Sequence, residues 1–463
     1  MADFAEPTDR TDLEFSGELG GGFDPDELFK GYDGRRLKAA IALSSLWLLT
    51  VVLHLVSWGH NFVLVVAGLM GIHALRVIFS SPLPAPAQLP SVRSKNPVSP
   101  DSYEHWPYIS LLVAAKNEET VIGDLVESLL HIDYPASRYD LWMIDDNSSD
   151  RTAQILDDLA QQYPALSVVH RGADAKGGKS GALNLVWPQT QGDILAVFDA
   201  DAQVPSNLLR QVAPMFEEAK TGAVQVRKAI ENASTNFWTR GQKAEMALDS
   251  YMQERRIAIG GIGELRGNGQ FVRRGAIAQC GGWNEETITD DLDLTIQLHL
   301  RQWDIGLLFA PAVGEEGVTS ALALWHQRNR WAEGGFQRYL DYWRQLVKNR
   351  LGWRKSIDMA SYWIIQYMMP AVVVPDLAIA LVRRQTPVFG PIVMLSVGIS
   401  FVGMFKTLRR AEKTSVWSAV VQTVRGNLYM LHWIVVIATM AMRISVRPKK
   451  LTWVKTVHGI SAG

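Results

Sequence analysis

From Ala39 to Trp58 the chain runs for about 20 residues without an aspartate, glutamate, lysine or arginine. A helix of that length crosses a hydrocarbon layer about 30 Å thick. Phe62 to Phe79 is a second such stretch, interrupted only by Arg76, which can snorkel from its end. Gly59-His60-Asn61 is the expected turn between them. Arg35, Arg36 and Lys38 precede the pair, and Arg76, Arg93 and Lys95 close it, so both outer ends of a transmembrane hairpin over 35–80 are expected on the cytoplasmic side. A buried hairpin in a soluble core is the competing reading, and it explains neither the length nor the charged flanks. Apolar character returns after residue 355, in Met359–Val382, Val388–Phe405 and Leu428–Met442. Pro370, Pro375 and Asp376 are expected to break the first of these or make it re-entrant, which would keep Lys449 and Lys450 inside. The number of crossings over 356–446 stays open at this level. The chain then ends in a basic tail, 447–463.

Composition narrows the rest. A net charge of -1 over 463 residues supplies no field for binding nucleic acid in bulk. The single cysteine, Cys280, excludes a disulfide framework and any multi-cysteine zinc site. The first 34 residues hold ten acidic and two basic side chains, too little apolar surface to offset the entropy of ordering, so a disordered acidic tail is expected there. It does not have the basic start and apolar run of a secretory signal. Six prolines between Ser80 and Pro100 mark a linker, set at 81–104. Ala323 to Leu346 mixes tryptophans and tyrosines with arginines at helical spacing. That pattern suits either amphipathic helices in the headgroup region, assigned to 321–355, or a helix packed on the neighbouring domain.

Between the apolar blocks, residues 105–320 alternate short apolar runs with amphipathic ones. Ile109–Ala115, Leu141–Asp145, Leu166–His170 and Ile194–Asp199 read as strands. Ile122, Leu125, Val126 and Leu129 share one helical face, as do Ile155, Leu156 and Leu159. This alternation predicts an α/β domain with a mostly parallel sheet covered on both faces. Such sheets bind ligands beyond the carboxyl ends of their strands.

The polar motifs fall at those ends. Ala115-Lys116-Asn117-Glu118-Glu119 closes the first strand, where amides and short polar groups suit a nucleotide or a capping turn. Asp145-Asp146-Asn147-Ser148-Ser149-Asp150 closes the second, with carboxylates for base or ribose hydroxyls, or for capping a helix. Gly177-Gly178-Lys179-Ser180 lacks the glycine that a phosphate loop needs at 173, where Ala173 stands, so Lys179 is left to neutralise phosphate or hold a turn. Asp199-Ala200-Asp201 places two hard carboxylates one residue apart, a pair suited to Mg²⁺ or Mn²⁺ bridging a substrate diphosphate. Thr289-Asp290-Asp291 offers a general base towards a hydroxyl, or merely a capped helix start. Gln327-Arg328-Asn329-Arg330-Trp331 adds an arginine for a departing diphosphate and a flat apolar face for a sugar or lipid glycerol.

In this order the motifs, with Gly181-Ala182-Leu183-Asn184 among them, resemble the membrane-integrated family 2 glycosyltransferases with a GT-A fold. The resemblance covers about residues 105–335 and the flanking apolar segments, and departs only in T-D-D where T-E-D is usual. It implies a UDP-sugar donor held by Ala115, Asn117, Glu118, Asp145, Asp146, Lys179 and Asp199, with Asp199 and Asp201 at the metal. It further implies Asp291 as base, and Gln327, Arg330 and Trp331 around diphosphate and acceptor in an inverting displacement. The stretch from Trp325 to Gly335 is most similar to enzymes that add one glucose from UDP-glucose to diacylglycerol. Processive synthases of cellulose, chitin, hyaluronan or poly-N-acetylglucosamine share Q-x-x-R-W and form the alternative. The catalytic domain is expected in the cytoplasm.

Overall fold

The computed structural model describes residues 34–93, 100–411 and 413–446, so the acidic segment 1–33, Lys95 and the basic segment 447–463 lie outside the described residues. Two helices, α1 (Arg35–Leu55) and α2 (Gly59–Phe79), form the first hairpin. Its turn is Val56–Trp58 rather than Gly59–Asn61. Gly59 instead opens α2, because that helix start is pressed against the end of α1, where a Cβ would collide with the carbonyl oxygen of Leu53.

The middle of the chain runs β1 (Ile109–Ala115), α3 (Ile122–Leu130), β2 (Tyr139–Asp145), α4 (Thr152–Gln162), β3 (Leu166–His170), α5 (Gly178–Val186) and β4 (Ile194–Phe198). It continues through α6 (Leu208–Val212), β5 (Thr221–Ile230), α7 (Phe237–Ala258), β6 (Gln270–Arg273), α8 (Arg274–Cys280), α9 (Asp290–Leu300) and β7 (Asp304–Glu315). The seven strands form one sheet in the order β3-β2-β1-β4-β6-β5-β7. β6 is antiparallel to β4 and β5, and every other pairing is parallel. Alternate residues of β1 feed two cores. Leu111 and Val113 meet Leu125, Val126 and Leu129 of α3 on one face. Leu112 meets Ala182, Leu183 and Val186 of α5 and Leu294 of α9 on the other. With both faces covered, the central strands read as unbroken apolar runs. Each fully buried Leu or Ile contributes about 1.5–3 kcal/mol.

Register lines up the motifs. Ala115 is level with Asp145, and Val113 with Phe198, so the chain leaves β1, β2 and β4 at one edge of the sheet.

After the sheet come α10 (Ala321–Asp341), α11 (Trp343–Val347), α12 (Trp353–Trp363), a π turn (Ile364–Met368), α13 (Met369–Arg383), α14 (Gly390–Ala411), α15 (Val416–Met430) and α16 (His432–Val446). Among the described residues five helical runs are long and apolar enough to cross a membrane: α1, α2, α12 through α13, α14, and α15 through α16. The expected break near Pro370 and Pro375 does not occur, since the helix continues from Trp353 to Arg383. The π turn lies just ahead of Pro370, where the ladder loses a donor and a widened turn accommodates it. Asp376 is buried because its carboxylate is used: it meets His54 at 2.7 Å and accepts from the N–H groups of Val388 at 2.9 Å and Phe389 at 3.1 Å.

Two α10 arginines do not face headgroups. Arg328 and Arg338 turn inward onto Glu245 and Glu264, at 2.5 and 2.7 Å. Gly334 lets α10 lie against the start of α9, where a Cβ would collide with the side chain of Thr289. Gly334→Ala is therefore expected to destabilise the fold by about 1–3 kcal/mol through overpacking. Thermal unfolding in detergent checks this, and an unchanged midpoint would show that the two helices separate without cost.

Candidate active site

The turns after β1 and β2 are locked together. Asn117 and Asn147 both adopt φ 57°, a left-handed conformation that asparagine tolerates better than most residues. Asn117 Oδ1 accepts from Ser149 N–H at 2.7 Å, and Asn117 N–H donates to Ser148 Oγ at 2.9 Å. Ala115 carbonyl accepts from Asp146 N–H at 2.8 Å. Glu118 is buried, and its N–H donates to Thr152 Oγ1 at 2.7 Å. Asp145, also buried, accepts from Ser148 N–H at 3.1 Å and faces His170 at 3.2 Å. Burial disfavours the charged His170, but hydrogen bonds to Asp157 and Asp145 outweigh it and hold the imidazole above its ordinary pKa. Asp146 pairs with Arg171 at 2.5 Å, and the same guanidinium donates to the Gly178 carbonyl at 2.9 Å, ordering the approach to Lys179.

Lys179, in the first turn of α5, reaches Asp199 at 2.5 Å. Burial opposes a charge on Lys179, yet Asp199, then Asp290 and Asp291, raise its pKa. Burial likewise opposes the Asp199 carboxylate, which Lys179, Lys228 and Arg330 hold below the usual range. Arg330 is depressed by burial against the pull of Asp199, Asp291 and Asp290. Residues 199, 290, 291 and 330 thus share one electrostatic neighbourhood, although 131 positions separate the first from the last.

Thr289 occupies the N-cap position of α9, but its hydroxyl makes no cap bond, so capping does not account for the triplet. The Asp291 carboxyl is pushed up to about 6, first by burial and then by Asp290, while the Leu292 N–H, Arg266 and Lys179 pull it back. Gly267, at φ 80°, keeps room beside it: a Cβ there would lie 3.4 Å from Asp291 Oδ2. On α10, Gln327, Arg330 and Trp331 stand at helical spacing i, i+3, i+4 and share a face. Trp331 lies between cations, with Arg328 Cζ 4.0 Å and Lys228 Nζ 5.4 Å from its ring centre.

Asp201, two residues beyond Asp199, accepts from Glu316 N–H at 3.4 Å and lines a groove with Asp124, Ser128, Gln203 and Glu231. Asp199 and Asp201 are hard oxygen donors on one turn. Among the described residues no group of three or more His, Cys, Asp or Glu gathers into a complete cage. Two such donors leave most positions of a divalent cation to a diphosphate and water, the usual habit of Mg²⁺ and Mn²⁺, and here Asp199 is held by Lys179 while Asp201 lines the groove.

With this geometry in hand, comparison with known proteins decides the family. Residues 107–334 match Glycosyltransferase like family 2. The chain is 55% identical over 433 residues to a beta-monoglucosyldiacylglycerol synthase of Trichormus variabilis, covering 92% of this chain and 90% of that one. It is 53% identical over 440 residues to the synthase of the same name from Synechocystis sp., covering 94% and 90%. The chain belongs to the family 2 glycosyltransferases. Its fold is GT-A: it superimposes with a TM-score of 0.52 on a mannosyltransferase from Pyrobaculum calidifontis solved with GDP-Man and Mn2+, at 17% identity, covering 83% of this chain and 99% of that one.

Beside the motif residues of this glycosyltransferase's site stand others that belong to no motif, Lys228 and Asn268, and one motif residue, Asn184, whose part is structural. Lys228 on β5 pairs with Glu315 on β7 at 2.8 Å and adds positive charge beside Asp199. Asn268 accepts from Asp199 N–H at 3.3 Å. Asn184 explains the G-A-L-N stretch: its amide exchanges hydrogen bonds with both the N–H and the carbonyl of Trp283 at 2.8 Å, tying α5 to the loop before Asp290. The Asp-Ala-Asp and Thr-Asp-Asp signals led to the cleft, but none marked Lys228 or Arg171.

Proposed function

We propose that this glycosyltransferase transfers glucose from UDP-glucose to diacylglycerol with inversion, giving β-monoglucosyldiacylglycerol, from a cytoplasmic catalytic domain on a multi-pass membrane protein. The observation that carries the reading is the electrostatic neighbourhood that Asp199, at the end of β4 on the carboxyl edge of the sheet, shares with Asp291 and Arg330. The acceptor and sugar are supported by the beta-monoglucosyldiacylglycerol synthases, which match more than nine-tenths of the chain.

On this reading Ala115, Asn117, Glu118, Asp145 and Asp146 surround the nucleoside, with Lys179 and Asp199 towards its diphosphate. Asp199 and Asp201 would hold Mg²⁺ or Mn²⁺ with the donor diphosphate, and the cation supplies positive charge against the departing oxygens. Asp291 takes the proton from the acceptor hydroxyl, whose oxygen bonds to the anomeric carbon from the face opposite the diphosphate. The bond from that carbon to the diphosphate oxygen breaks as the new one forms, and UDP leaves with the electron pair. Arg330 and Lys179 stabilise the charge that grows on it. Trp331 and Gln327 hold the glycerol end of the lipid.

The test is product analysis. Purified protein in detergent receives diacylglycerol with UDP-glucose, UDP-galactose or UDP-N-acetylglucosamine. One glycolipid of fixed size, formed from UDP-glucose, is expected. A ladder or insoluble polymer would place the enzyme with processive synthases instead.

Acid dependence gives a second check. The base acts as carboxylate, so kcat/KM should rise with pH and level off above about 6, where Asp291 is deprotonated. Asp290 raises that value by repulsion, while Arg266 and Lys179 face the same group and lower it. Asp290→Asn removes the repulsion and is expected to move the acid limb to lower pH. A limb that stays in place would detach it from Asp291.

A further inference from the structure

Buried carboxylates outside a reaction centre need a reason, and Glu245 has three polar partners but no place in the proposed chemistry. It lies on α7, 7% exposed, within the layer between the catalytic sheet and the apolar helices. Oε2 accepts from Arg328 Nη2 at 2.5 Å and from the Tyr429 hydroxyl at 3.0 Å. Oε1 accepts from Trp433 Nε1 at 2.8 Å. Arg328 is itself 1% exposed. Its second amino group donates to Gln327 Oε1 at 2.7 Å, and its plane stacks on Trp331 at 4.0 Å. Tyr429 also receives Arg328 Nη2 at 3.2 Å, and Gly241 on α7 makes room for it, since a Cβ there would collide with the Tyr429 ring.

One carboxylate therefore joins three parts of the chain: α7 of the catalytic domain, α10 with the Q-x-x-R-W residues, and the last apolar run through Tyr429 and Trp433. We propose that Glu245 is a positioning residue for the acceptor. It orients Arg328, and Arg328 holds Gln327 and the Trp331 ring in the place where the lipid's glycerol must sit. This rests on the reading of Gln327 and Trp331 as acceptor-side residues. The physical case is the fork of arginine. Its guanidinium is planar, so fixing one amino group on Glu245 fixes the direction of the other towards Gln327 and the tilt of the face that stacks on Trp331. Glu245 touches no reacting atom. It acts at a distance by removing freedom from the groups that do, and small misplacement of an acceptor is costly: about 10²-fold for 1 Å. The same contacts make the apolar helices part of the site, because Tyr429 and Trp433 orient Glu245 in turn.

The test compares wild type, Glu245→Gln and Trp433→Phe, each purified in detergent, with UDP-glucose and dispersed diacylglycerol. Glu245→Gln keeps the shape but removes the charge that holds Arg328. Trp433→Phe leaves the ion pair intact and removes only one donor, so it keeps the experiment decisive where the first variant folds poorly. Three quantities are read: transfer to lipid, release of glucose to water, and affinity for UDP. The expected result for Glu245→Gln is a fall of about 10- to 100-fold in transfer, with KM for diacylglycerol raised. UDP affinity and release of glucose to water should stay within about twofold of wild type, and Trp433→Phe should shift transfer the same way by less. In a Gln327→Ala background the Glu245→Gln loss should shrink, because groups acting through one another are not additive. A purely structural tie would lower transfer, water release and UDP affinity together, and that parallel loss overturns the proposal. So does unchanged transfer in both single variants. Wild type is assayed alongside, so failure of the acceptor reading appears in wild type itself and failure of the positioning role only in the variants.

Discussion

Asp291→Asn is expected to lower glucosyl transfer by about 10²- to 10⁴-fold, a barrier increase of about 2.7–5.5 kcal/mol. Asparagine fills the same space and accepts from the Leu292 N–H as aspartate does at 2.8 Å, so the start of α9 should persist. What disappears is a group that binds a proton near neutrality. An isolated aspartate is a weak base at pH 7, and this one is strengthened by burial and by Asp290 to about 6. That places it where a general base both exists as carboxylate and takes a proton readily. The variant should bind UDP as wild type does, since the loss is confined to the acceptor proton. Steady-state transfer together with UDP titration reads both quantities. Undiminished transfer would exclude Asp291 as the base.

Arg330→Ala is expected to cost about 10²- to 10³-fold in kcat, about 2.7–4 kcal/mol. Arg330 lies within the fields of Asp199, Asp291 and Asp290, in a setting where burial has already removed much of its water. Such a cation need not reorganise when charge develops on the leaving diphosphate, which is why its loss falls on kcat. Arg330→Lys restores charge without the planar fork and should recover only part of the rate. A variant that raised KM for UDP-glucose but kept kcat would show that Arg330 binds the donor without assisting departure.

Much of this was legible because it depends on short-range pattern. β1 and β3 begin and end where apolar runs meet turn residues, at Ile109–Ala115 and Leu166–His170. Of the strands after residue 220, β5 and β6 carry no such pattern. β5 carries Gln225, Arg227 and Lys228 among its valines, and β6 is only four residues long, so neither shows a clear period. Their polar groups make sense only across the sheet, as when Lys228 finds Glu315 on β7. The aromatic and arginine pattern of α10 suits headgroups and a packed helix alike, because composition says nothing of partners far along the chain. Arg328 meets Glu245 83 positions earlier, and Arg338 meets Glu264 74 positions earlier.

The amino-acid order alone determined the kinds of group available: uncharged stretches long enough for a bilayer, acids at strand ends, and an arginine with a tryptophan late in the chain. These are local properties of spacing and side-chain chemistry. Tertiary structure decided what those groups are worth. The proton affinity of Asp291 depends on burial and on charges at 179, 266 and 290, and the tilt of Trp331 depends on an arginine held by a glutamate from another helix. Electric fields act through space and not along the chain, so no reading of neighbours in sequence could have set them.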